Sequence, residues 1–203
     1  MKKIITAILF ATVSMVLNAQ DFAAQKKAFS DSYGLEASKL YDRASEVLKL
    51  VYSETNYDVN LRLGWLNYMA GKYTDAIGYY QKAIAIAPNS IEARMGIVYP
   101  LSVIPKWEDV TKQYLEILKI DPKNATVNYR IALLYYNTKD YANAKKYLDA
   151  FLQSYPFDFD ALSLAGWNSL KLNQKADAKD FFQKALLNRP EDKATLNGLE
   201  LAK

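Results

Sequence analysis

Pro88, Pro122, Pro156 and Pro190 recur at one interval of 34 residues (122 − 88, 156 − 122, 190 − 156). A period of that length constrains the chain to a stack of helix-turn-helix units, because each unit leaves an apolar face that only its neighbours can cover. Residues 57–89, YDVNLRLGWLNYMAGKYTDAIGYYQKAIAIAPN, show one unit in full. An apolar run of helical period breaks at Ala70-Gly71-Lys72, a second run resumes, and Pro88-Asn89 stops it. The expected fold is all-α.

Residues 1–19, MKKIITAILFATVSMVLNA, carry two lysines, an apolar run from Ile4 to Leu17, and Asn18-Ala19. That run falls short of the ~20 residues that cross a bilayer. The pattern predicts a secretory signal peptide cut between Ala19 and Gln20, and a mature chain without an integral membrane span. Leu17 is bulky for the third position before the cut, so an uncleaved anchor is the alternative. The formal net charge is +4; without Lys2 and Lys3, 24 bases face 22 acids, which leaves +2. That is too near neutral for a nucleic-acid partner. Lys outnumbers Arg by 21 to 5, which leans towards a bacterial source. The expected location is the periplasm, with association at the outer membrane left open.

Residues 20–56 read as a degenerate helix pair capping the array, since a terminal repeat has one face in water. Leu40, Ala44, Val47, Leu48 and Val51 form its apolar stripe, and Ser32-Tyr33-Gly34 is the expected break between its helices. Ala44 corresponds to Ala76, which puts this pair two residues out of the 34-residue register. Four units follow, at 57–90, 91–124, 125–158 and 159–192. Residues 193–203 form a short closing helix with Asp192 as its N-cap; Gly198 weakens it, so docking must hold it.

The units resemble the tetratricopeptide repeat (TPR) family. Unit one carries the pattern at Leu63, Gly64, Ala76, Tyr80, Ala83 and Pro88, but has Asn60 and Asn67 where bulk is expected. Unit three carries it at Ile131, Ala132, Tyr135, Ala144, Leu148 and Pro156, and unit four at Leu162, Ala165, Gly166, Ala178, Phe182, Ala185 and Pro190. Small residues at repeat positions 8, 20 and 27 let two helices approach, and larger ones at 7, 11 and 24 fill the space between them. Unit two departs: Val98 and Val110 replace small residues, Pro105 sits in the turn, and Pro100 falls inside the first helix. A proline there predicts a kink or a helix end near Tyr99. The resemblance implies a TPR-type helix-turn-helix solenoid of four 34-residue repeats, with N-terminal helices and a C-terminal capping helix.

His and Cys are absent, which removes Ser/His/Asp and Cys/His catalysis, thiolate metal sites and disulfides. Glycine-rich phosphate loops are missing as well. Carboxylate pairs such as Glu108-Asp109, Glu191-Asp192 and Asp158 with Asp160 stand at expected helix starts, where acids favour the macrodipole. Neither an enzyme nor a cofactor or metal site is expected.

Binding is the remaining route. The resemblance implies a concave face built by the first helix of each repeat. Its positions fall on Asp58, Leu61, Trp65, Tyr68 and Met69 in unit one, and on Glu92, Met95, Tyr99, Ser102 and Val103 in unit two. Unit three supplies Thr126, Tyr129, Leu133, Tyr136 and Asn137; unit four supplies Asp160, Ser163, Trp167, Leu170 and Lys171. Trp65, Tyr99, Leu133 and Trp167 share one repeat position, and large aromatic side chains are enriched among interface hot spots. Asn137 and Lys171 could fix a peptide's polar groups. The competing expectation is that the terminal helices fold onto this face and make the rings ordinary core. The expected partner is a protein or peptide in envelope assembly or secretion. Self-association, or docking on a membrane complex through the array ends, is the alternative.

Overall fold

The computed structural model describes residues 21–104 and 106–203. The expected signal peptide, its cut site at Gln20, and Pro105 lie outside the described residues. The described residues hold eleven helices and no strand. These are α1 (21–37), α2 (Tyr41–Lys49), α3 (Tyr57–Met69), α4 (Tyr73–Ile86), α5 (Ile91–Val103) and α6 (Trp107–Ile120). Then come α7 (Ala125–Asn137), α8 (Tyr141–Ser154), α9 (Phe159–Lys171), α10 (Lys175–Asn188) and α11 (Lys193–Leu201). The chain divides into two compact units, one through Trp107 and one from Glu108.

Two periodic devices start and stop these helices. Asn56, Ser90, Asn124, Asp158 and Asp192 each accept a hydrogen bond from the backbone N–H three residues on, capping α3, α5, α7, α9 and α11. They share the 34-residue interval of the prolines. Within the helix pairs, Lys39, Gly71, Lys139 and Asn173 turn the chain with positive φ of 58, 77, 65 and 58°. Each lies in a hydrogen-bonded C-terminal turn of the preceding helix; Gly71 N donates to Tyr68 O at 3.0 Å and Lys72 N to Asn67 O at 2.8 Å. Lys39 corrects the expected break. Helix α1 runs unbroken through Ser32-Tyr33-Gly34 and ends at the turn before α2.

Asn60 and Asn67 are buried and carry out polar work where bulk was expected. The Asn60 amide donates to the carbonyls of Asn56 at 2.8 Å and of Ser53 and Glu54 at 3.3 Å, tying α3 to the loop before it. Asn128 does the same in the second unit, donating to Asn124 and Pro122. Arg94, at the corresponding place on α5, reaches the Pro88 carbonyl at 2.9 Å. Asn67 donates to Leu63 O on its own helix. Helix α5 does not end near Tyr99: it continues through Pro100 to Val103, with Pro100, Ile97, Val98 and Leu101 buried. Burial of that stretch outweighs the hydrogen bond that a proline inside a helix forgoes.

Inside each unit, one ring seals a helix seam. In the first unit the Tyr80 ring of α4 lies against both Gly64 of α3 and Gly96 of α5, where any Cβ would overlap it. In the second, Phe182 of α10 meets Gly166 of α9 and Gly198 of α11 in the same way. Gly198 therefore serves as the close-approach point of the closing helix, and Asp192 caps that helix as expected.

Candidate partner-binding cleft

The first helices of successive pairs in the first unit, α1, α3 and α5, enclose an open cleft of about 890 Å³. Leu61 and Trp65 enter it from α3 and Met95 and Tyr99 from α5, while the buried Tyr80 ring closes its floor. Trp65 and Tyr99 meet edge to face with centroids 6.3 Å apart, and Tyr68 joins them at 5.8 and 5.6 Å. Met69 follows Tyr68 at the C-terminal end of α3 and is half-buried. Tyr99 keeps 43% of its surface exposed while Trp65 and Tyr68 are half-buried, so the cluster opens to solvent chiefly at Tyr99.

The remaining wall is α1, expected as part of the N-terminal cap and, in the competing expectation, as a helix folded onto this face. Phe22, Lys26, Phe29 and Tyr33 line the cleft from that helix. One side chain holds the wall in place: Glu36 accepts from Trp65 Nε1 at 2.6 Å and from the Arg62 guanidinium. Burial alone would raise the Glu36 carboxyl, but the bonds from Trp65 and Arg62 and the Arg62 charge outweigh it, and its pKa is lowered. The Arg62 guanidinium also lies over the Tyr33 ring, 3.9 Å from its centroid. Helix α1 thus packs on Trp65 and leaves Tyr99 exposed. With the break placed at 32–34, α1 had no length to reach Trp65, so Glu36 and Tyr33 could not be found; the two-residue register offset was the usable signal.

Polar groups gather at the start of α3 and α5. The Tyr57 hydroxyl lies 2.7 Å from Ser90 Oγ and donates to Glu92 at 3.4 Å. Burial is the main force raising its pKa; the Ser90 bond opposes this, and the charges of Glu92 and Asp58 add to it. Tyr80 is raised further, by burial first and then by Tyr99, Glu92 and Tyr68. Asp58 and Glu92 are both exposed and line the cleft.

In the second unit, the predicted residues are more occupied by their neighbours. Trp167 stands edge-on to Phe182 at 5.3 Å and, with Leu170, packs on the cluster of Ala178, Phe182 and Ala202. Tyr129 contacts Phe151 at 5.4 Å and Tyr136 contacts Tyr141 at 5.6 Å. Leu133, Asn137 and Lys171 are exposed. Tyr129 is half-buried, and burial, followed by the charges of Asp160 and Asp158, raises its pKa.

Comparison with known proteins defines the class. Residues 57–90 match one tetratricopeptide repeat family model, and residues 127–158 and 160–192 match a second. The chain therefore carries tetratricopeptide repeats, and its fold is the all-α TPR-type solenoid, a class of scaffold used in protein–protein interaction. Among particular relatives, the type IV pilus assembly protein PilF of Pseudomonas aeruginosa is 30% identical over 148 residues, covering 70% of this chain and 57% of PilF. The TPR repeat-containing thioredoxin TTL4 of Arabidopsis thaliana is 29% identical over 87 residues, covering 43% of this chain and 13% of that protein. The chain thus spans only a fraction of these relatives. In fold it is similar to the MamA crystal structure, with a TM-score of 0.72 at 18% identity, covering 83% of this chain and 93% of MamA. A tetratricopeptide repeat protein from Parabacteroides merdae gives 0.74 at 18% identity, over 88% of this chain and 72% of that one. Among the described residues, no helix is long and apolar enough to cross a membrane.

Proposed function

We propose that this protein is an exported, non-catalytic scaffold that holds a protein or peptide partner against the cleft of α1, α3 and α5, in bacterial envelope assembly or secretion. The observation that carries the reading is the cluster of half-buried Trp65 and Tyr68 with exposed Tyr99, which opens into a cleft between the first helices of a repeat stack. Rings of this kind give large contact area at low entropic cost, and a contiguous exposed apolar surface is the usual mark of an interaction site. The partial match to a pilus assembly protein supports the envelope setting. The signal-like residues 1–19 support export.

The test pairs Tyr99→Ala with Met95→Glu, two changes that reach into the cleft and leave the Glu36 contacts intact. Captured from envelope extracts by wild type, a partner should be lost to this variant while its helical circular dichroism persists. Retention of the same partner by the folded variant would refute the cleft as the site. Leu196 and Leu201, 41% and 54% exposed on the closing helix, favour the second reading, a subunit that associates through its array ends.

A further inference from the structure

We infer that the cleft of α1, α3 and α5 selects a peptide segment bearing a lysine or arginine side chain among apolar neighbours; the inference rests on the cleft being the partner site. Its unpaired charge is weighted to acid, two carboxylates against one ammonium among the described residues. Arg62, which lines the cleft from α3, is already answered by Glu36 and by the Tyr33 face. Asp58, in the first turn of α3, and Glu92, in the first turn of α5, form no ion pair among the described residues. Glu92 accepts from the Tyr57 hydroxyl, Asp58 is the next residue to Tyr57 on α3, and both line the cleft where α3 and α5 begin. Lys26 of α1 is the opposing charge, and it pairs with neither.

An incoming cation would therefore meet two carboxylates beside several aromatic faces. Rings attract a cation within ~6 Å of their centroids, and this grows as the site is desolvated. The aliphatic stem of lysine or arginine covers apolar wall while its head reaches the acids. An acidic segment would meet the same two carboxylates as repulsion. Helix dipoles explain an acid in the first turn of each helix. They do not require the two acids to face a shared ring-lined cavity.

The test is selection from a phage-displayed random hexapeptide library on the purified full chain, followed by titration of the enriched sequences as N-acetylated, C-amidated peptides. Lysine or arginine should be enriched at one position beside apolar residues. Asp58→Asn combined with Glu92→Gln should weaken such a peptide about tenfold and leave its norleucine analogue unaffected, while Lys26→Glu should tighten it. Circular dichroism verifies that each variant stays folded, and Lys26→Glu decides the matter should the double variant unfold. Enrichment of acidic or purely apolar peptides, no enrichment at all, or equal binding by the Asp58/Glu92 variant overturns the inference and leaves the cleft reading standing. Enriched peptides that bind a Tyr99→Ala, Met95→Ala variant unchanged, a pair that adds no carboxylate to the cleft, refute the cleft reading itself.

Discussion

At the scale of residues, the repeat is fixed by a few positions with one demanding job each. Gly96 is the sharpest case, because the Tyr80 ring occupies the space its Cβ would need. Gly96→Leu should destabilise the first unit by about 1–3 kcal/mol, as overpacking of a closed seam does, read as a lowered urea midpoint. An unchanged midpoint would mean that the seam can open without cost. Much of this was legible in sequence: the small residue at position 8 and the ring at position 24 are the family's own pattern. The glycine at position 6 of the following repeat was not singled out. It becomes meaningful only once Tyr80 and Phe182 are seen reaching across to the next helix. Asn60 and Asn128 were opaque for a related reason: a polar residue amid an apolar stripe looks like lost packing until its acceptor carbonyls, in a separate loop, are located.

At the scale of elements, helix ends and one docked helix decide the site. The N-cap column at 56, 90, 124, 158 and 192 stood in the sequence at the proline interval, although only Asp192 was named as an N-cap and only Asp158 besides it was placed at a helix start. The turn at Lys39 was hidden because lysine carries no signature for positive φ, whereas Gly71 does. That error shortened α1 and concealed the cleft wall. Glu36 makes the docking of α1 sensitive to acid. Its folded pKa lies below the ordinary value of 4.5, so its contribution is fully present above that value and disappears as pH falls through the lower folded value. Arg62, Trp65 and Tyr33 surround it, and Glu36 is the one carboxylate among these four. Between pH 6 and pH 3, the wild-type melting temperature should fall further than that of Glu36→Gln, which starts lower and changes less. Parallel falls in the two proteins would show that the carboxylate does not hold the wall.

At the scale of the whole molecule, the chain carries tetratricopeptide repeats in an all-α fold of two compact units, and the first of these presents the open ring-lined cleft. The shared column of Trp65, Tyr99, Leu133 and Trp167 was readable from spacing alone. Its members differ in surroundings: Trp65 meets Tyr99 and Tyr68 and is bonded by Glu36 of α1, while Phe182 and the closing helix engage Trp167. Periodicity places residues on a face; neighbours from other helices determine whether that face is free. The central claim is that a partner sits on the first helices of the first unit. A photocrosslinking residue installed at Tyr99, and separately at exposed Gln81 on α4, tests this most directly when the purified chain is irradiated with its captured partner. The account predicts a crosslinked adduct from position 99 and none from position 81. An adduct from position 81 alone would contradict it.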